Sequence, residues 1–115
     1  MASAYVESLH TLLQPTLREL PAPIELTIRH FFSGAAAYAN GRICISLTPA
    51  GLALKLPEDD RSRLLAGGGE ALRYFPGAPV KKGYVVVPAE LLEDEADLTL
   101  WARKSIDHAM TLPPP

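Results

Sequence analysis

The sequence of 115 residues contains a single cysteine, Cys44. One thiol excludes an internal disulfide and fits a reducing compartment. Long apolar runs are lacking too, since no stretch approaches the length needed to cross a bilayer. Met1 to His10 has no basic segment followed by an apolar one, so no secretory signal is expected. An excess of positive charge is also missing. Eleven basic residues face thirteen acidic ones, giving a formal net charge of −2, whereas a domain that binds DNA unaided carries a basic footprint. Together these features predict a cytoplasmic protein with no membrane partner.

The motifs of metal, nucleotide and nucleophile chemistry are absent as well. His10, His30 and His108 are scattered, without Cys-x-x-Cys or His-Glu-x-x-His spacing. Gly67-Gly68-Gly69 is followed by no Gly-Lys-Ser/Thr and ends a predicted helix instead of opening one, so it reads as a helix stop. The acidic runs Glu58-Asp59-Asp60 and Glu93-Asp94-Glu95, with Asp97, fall at predicted helix starts, where the helix dipole favours them. Cys44, between Ile43 and Ile45, reads as a small residue packed in a strand, since a reactive thiol needs exposure and a lowered pKa. No catalytic residue, metal or cofactor is expected, and the chain reads as non-enzymatic.

What is present suits one α+β domain over residues 1–112, followed by a disordered proline tail at 113–115. Val6, Leu9, Leu13, Leu17 and Leu20 recur at helical spacing. Ser3 is the expected N-cap, Pro15 is expected to kink or split this helix, and Pro21 and Pro23 end it. Ile24, Leu26 and Ile28 alternate with Glu25, Thr27 and Arg29, a strand with one apolar and one polar face. Asn40-Gly41 predicts a type I′ hairpin pairing Ala39 with Arg42, Tyr38 with Ile43, Ala36 with Ile45 and Gly34 with Leu47. In that register Tyr38, Ala36, Ile43, Ile45 and Leu47 share one face, while Ala37, Ala35, Cys44 and Ser46 form a small, weakly polar one. Leu52, Leu54 and Leu56 give a further strand, and Pro57 with its acidic neighbours starts a helix. Residues 70–83 read as a loop in which Tyr74 and Phe75 act as anchors. Tyr84 to Val87 is the last strand, Pro88 opens a helical turn, and Asp94 caps a final helix with the face Leu98, Trp101, Ala102, Ser105, Ile106 and Ala109. The expected architecture is an antiparallel sheet of about five strands with helices packed on one face.

Four stretches within this order resemble the N-terminal domain of the TfoX competence-regulator family, over about Ile24 to Ala109. Arg29-His30-Phe31-Phe32-Ser33-Gly34 stands where that family has a basic residue followed by Met-Phe-Gly-Gly. Tyr38-Ala39-Asn40-Gly41-Arg42 resembles its strand-turn-strand segment, and Leu54-Lys55-Leu56-Pro57 its short strand into a helix. Tyr84 to Asp94, with Leu98 and Trp101-Ala102-Arg103-Lys104-Ser105, is the closest stretch. The resemblance implies a regulatory or interaction module that works through a protein partner. Named members of the family carry a second, C-terminal domain that is not among these residues.

The candidate partner-binding residues are Arg29, His30, Phe32, Arg73, Lys81 and Lys82. Arg73, Lys81 and Lys82 lie near Tyr74-Phe75 in the only basic-aromatic cluster, a mixture that can stack bases and hold phosphates or form a solvated loop. Nucleic acid is thus an alternative partner. The polar sheet face carrying Glu25, Thr27, Arg29 and Lys55 is expected to lie open, which makes a homodimer through the sheet or its edge a further candidate. A small-molecule or enzymatic pocket near His30 and Phe32 is the remaining alternative.

Overall fold

The computed structural model describes residues 2–114, with side chains from Ala4 onward. A first helix, α1 (Ala2–Glu19), leads into an antiparallel meander of β1 (Leu26–Phe31), β2 (Gly34–Ala39), β3 (Arg42–Thr48) and β4 (Gly51–Lys55). Helix α2 (Glu58–Ala66), β5 (Glu70–Ala71), β6 (Tyr84–Val86), α3 (Ala89–Leu92) and α4 (Glu95–Ala109) follow. The sheet order is β1-β2-β3-β4-β6-β5, and every pairing is antiparallel. The sheet has six strands where about five were expected. The additional strand, β5, spans two exposed residues and offers no alternating pattern to read.

The Asn40-Gly41 turn forms as the residue types demand, with φ of 48° and 87°, the pair of positive values a type I′ turn needs. Next to the turn Ala39 faces Arg42 and Tyr38 faces Ile43. Beyond that point the expected register fails. Ala37, Ala36 and Ala35 face Ile45, Ser46 and Leu47, with the shift falling between Ala37 and Tyr38. Cys44 is the extra residue of a β-bulge. A one-residue slip exchanges the faces, so Ala35 and Ala37 join Ile45 in the main core while Ala36 and Ser46 turn the other way. Alternation is preserved on both sides of a bulge, which is why the pattern of the strands did not disclose it.

A tertiary contact meets the bulge. Ser105 Oγ, on α4, lies 2.9 Å from the carbonyl oxygens of both Cys44 and Lys55, so one buried hydroxyl proton is shared between two strands where the β3–β4 ladder ends at Ile45 and Leu54. The rest of the expected α4 face is in place. Leu98, Ala102, Ile106 and Ala109 are buried, and Trp101 packs at the core margin. Asp94 accepts a bond from the Asp97 N–H at 3.0 Å, the expected N-cap. Helices α1 and α4 bury Leu9, Leu13 and Ile106 against Ile45, Leu54 and Val85.

Pro15 does not split α1, which runs unbroken to Glu19. Leu13 and Thr16, on either side of it, are both fully buried, and that packing outweighs the hydrogen bond a proline cannot donate. Ser3 is already helical, so it is not the N-cap. Gly67 to Gly69 terminate α2 through N–H groups returning to Arg63, Leu64 and Leu65. Of the expected tail, Pro115 lies outside the described residues. Among the described residues no helix is long and apolar enough to cross a membrane.

Candidate functional site

The sheet face turned away from α1 and α4 is open and polar along β1, where Glu25, Thr27 and Arg29 are exposed as expected, but it is covered across its centre, and Lys55 is half-buried. Its middle row is Ala36, Ser46 and Ala53, aligned across β2, β3 and β4 and all buried. The segment from Leu72 to Gly83 folds over part of this face. Leu72, Ala53 and Tyr84 form a second small core, with Tyr74 and Val86 packed against it. Small side chains on the strands leave room for those rings. The Ser46 hydroxyl is buried there without a hydrogen-bond partner.

Where this segment meets the β1–β2 turn, four aromatic side chains gather. Phe31 and Phe32 have ring centroids 4.6 Å apart, and Tyr74 lies 6.1 Å from Phe31 and 6.2 Å from Phe32, the separations of edge-to-face pairs. Phe32, Ser33, Tyr74 and Phe75 line a hollow of about 330 Å³. Phe32 is 84% exposed and Phe75 63% exposed. Phe75 is therefore not the anchor expected of it, because the buried anchors of the loop are Leu72 and Ala78. A second hollow of about 510 Å³ adjoins, lined among others by Arg73, Tyr74, Phe75, Glu70 and Val86.

Phe32 is also strained. Phe31 pairs with Gly34, so Phe32 and Ser33 form a two-residue turn, and Phe32 takes φ of 49°. Glycine is preferred where φ is positive, and a bulky residue there costs on the order of 1–3 kcal/mol. Gly34 cannot be relaxed in the same way, because a Cβ there would collide with the Leu47 carbonyl. The turn thus keeps the glycine that packing requires and carries phenylalanine where backbone geometry disfavours it.

The six expected residues do not converge on one point. Arg29 lies on the aromatic side of β1, its guanidinium 4.4 Å from the Tyr38 ring centroid, a cation–π distance. Arg73 donates to the Ala78 carbonyl at 2.6 Å and so braces its own loop. The Lys81 N–H bonds the Leu72 carbonyl at 2.9 Å and closes that loop, leaving the Lys81 and Lys82 side chains exposed. His30 alternates to the other side and lines a separate hollow of about 590 Å³ with Val6, Glu7, Ile28 and Arg29. Phe32 and Arg73 thus line two hollows that share Tyr74 and Phe75, and His30 stands apart. The anchoring role expected of Tyr74 is in place, since it packs against Ala53, Leu72 and Tyr84. Phe31 was not among the candidate residues, although it falls two residues after Arg29 on the same face.

The chemistry of the remaining titratable groups is quiet. Burial pushes the Cys44 thiol up to about 12, and its Sγ sits 3.5 Å from the Ala37 carbonyl oxygen, so it is held protonated and enclosed. Burial, followed by Tyr74, raises Tyr84, and burial raises Tyr74 itself. His108 is lowered by burial and then by Lys55 and Arg61. Among the described residues no group of three or more His, Cys, Asp or Glu side chains is arranged to hold a metal ion.

No curated protein matches the chain. The family model of the TfoX N-terminal domain matches residues 20–109, which spans every strand, the strained Phe32 turn and all the described helices except α1. With the meander, the Asn40-Gly41 turn and the α4 face in place, this chain belongs to the TfoX N-terminal domain family.

Proposed function

We propose that this domain is a non-enzymatic regulatory module that binds a protein partner through the aromatic surface formed by Phe32, Tyr74 and Phe75. Membership of a regulatory domain family supports the general role. The observation that carries the specific reading is Phe32, a large apolar side chain 84% exposed on a backbone of positive φ. Its ring touches Phe31 and Tyr74 by its edges, yet most of its apolar surface faces solvent on a backbone that disfavours it, which leaves that surface to a partner. Exposed aromatic side chains over a hollow are the anchors of protein interfaces.

The surrounding charge indicates the partner's chemistry. From Leu72 to Gly83 the chain carries Arg73, Lys81 and Lys82 and no acidic residue, while Arg29 stands on the same side of the sheet. An acidic segment bearing an aromatic or aliphatic side chain fits this surface. Selection from a random peptide library on the purified domain tests this. Peptides with Asp or Glu flanking an apolar residue are expected, with retention falling at least tenfold for the double variant Phe32→Ser/Phe75→Ser. Retention unchanged in that variant overturns the site.

The same mixture of rings and cations favours single-stranded nucleic acid as a second reading. It predicts binding of random-sequence oligonucleotides that weakens steeply with salt and is lost in Lys81→Glu/Lys82→Glu. The net charge of −2 places this reading second.

A further inference from the structure

The end strand of the sheet is unusually complementary to itself. Strand β1 lies at one edge of the six-stranded order, and among the described residues nothing pairs with its outer side. Asn40 donates its N–H to the Glu25 carbonyl at 2.9 Å, so in the antiparallel alternation residues 25, 27, 29 and 31 bond β2. Leu26, Ile28 and His30 therefore point their N–H and C=O groups outward. The usual protections of an edge are missing along Leu26–Phe31: there is no proline, no lysine and no bulge.

We infer that two copies of this chain pair antiparallel through β1, with the two-fold axis at Thr27. In this register Leu26 faces the partner's Ile28, and Glu25 faces the partner's Arg29. Both cross-strand pairs occur twice by symmetry. Glu25, Thr27 and Arg29 are exposed and lie on one face, so opposite charges meet on it. Leu26 and Ile28 are half-buried and lie on the face covered by α1. There the hollow lined by Val6, Glu7, Ile28, Arg29 and His30 is positioned to receive the partner's Leu26. The backbone permits this register, because the outward-facing residues Leu26 and Ile28 form the hydrogen-bonded pairs and Thr27 falls in a non-hydrogen-bonded one. Moving the axis to Ile28 or Leu26 keeps the backbone bonds but sets Arg29 opposite Thr27, or Glu25 opposite Thr27, and loses both charge pairs. The charge pattern thus selects one register of those the ladder allows. The product is a continuous sheet of two meanders, with both α1 helices on the same side.

Sedimentation from micromolar to millimolar chain is the first measurement, and a concentration-dependent dimer is expected, weak as befits a small interface. Arg29→Glu places like charges opposite one another and raises the dissociation constant about tenfold. Glu25→Arg does the same, and the exchanged variant Glu25→Arg/Arg29→Glu restores dimerisation. Both positions of change are on the surface, so folding is retained and is checked by circular dichroism. The register is read separately by Thr27→Cys. Non-hydrogen-bonded partners have Cα atoms about 4.5 Å apart, within disulfide reach, so mild oxidation yields a covalent dimer. Glu25→Cys does not, because the two copies of that residue lie four residues apart along the ladder, about 14 Å at about 3.4 Å per residue. Cys44 is buried and stays out of the reaction. A monomer at every concentration with no cross-linking at residue 27 overturns the proposal, as does a dimer unaffected by either charge reversal. Because none of these readouts involves Phe32 or Phe75, failure here leaves the aromatic-site reading standing, and the reverse also holds.

Discussion

The two faces of this sheet are covered by different means. On one face α1 and α4 lay regular apolar stripes over Leu26, Ile28, Ala35, Ala37, Ile45, Leu54 and Val85. On the other, a loop without regular structure lays Leu72 and Tyr74 over Ala53 and Tyr84, and leaves Phe32 and Phe75 in solvent. On the helical face the buried Ser105 hydroxyl bonds two carbonyls, while the buried Thr16 hydroxyl of α1 has no partner. The loop face retains an unpartnered Ser46 hydroxyl and a strained turn. Under the proposed function, stability is concentrated on the first and recognition on the second, the division expected when binding surfaces ride on a packed scaffold.

The comparison can be broken most severely from the helical side. Leu54 is fully buried between the sheet and the helices, so Leu54→Ala is expected to destabilise the domain by about 2–5 kcal/mol in urea denaturation. Ser105→Ala tests the bulge: it strands the Cys44 and Lys55 carbonyls and is expected to cost about 1–3 kcal/mol. A cost below a few tenths would show that the bulge does not depend on α4. Phe32→Gly has the smallest expected effect on stability: it relieves the positive φ but gives up the ring contacts with Phe31 and Tyr74, so the change is expected to stay within about 1 kcal/mol while peptide binding falls. Binding left intact would overturn the role given to Phe32.

Local patterns carried much of the fold. The helical spacing around Leu9 and Leu13, the alternation from Leu26, the Asn40-Gly41 turn and the Asp94 cap each rest on contacts within a few residues, and each appears as the residue types predict. Two of the failed expectations arise where distant residues decide. Pro15 is carried through α1 by burial on either side, and the Cys44 bulge is stabilised by a hydroxyl sixty-one positions away. The candidate site was legible only in parts. Phe32, Arg73 and the Tyr74-Phe75 pair stood out as residue types, but nothing local indicated that the β1–β2 turn and the 72–83 loop touch.

What the sequence determined by itself, then, is the set of elements, the family and the absence of the usual metal and nucleotide motifs, because periodicity, turn chemistry and motif spacing are properties of neighbours along the chain. The tertiary structure alone decided which face each strand residue occupies beyond the bulge, which phenylalanines remain in solvent and which strand is left at the edge. Those outcomes depend on how surfaces formed by remote segments fill space against one another, and a side-chain period of two makes a single inserted residue sufficient to exchange core for surface.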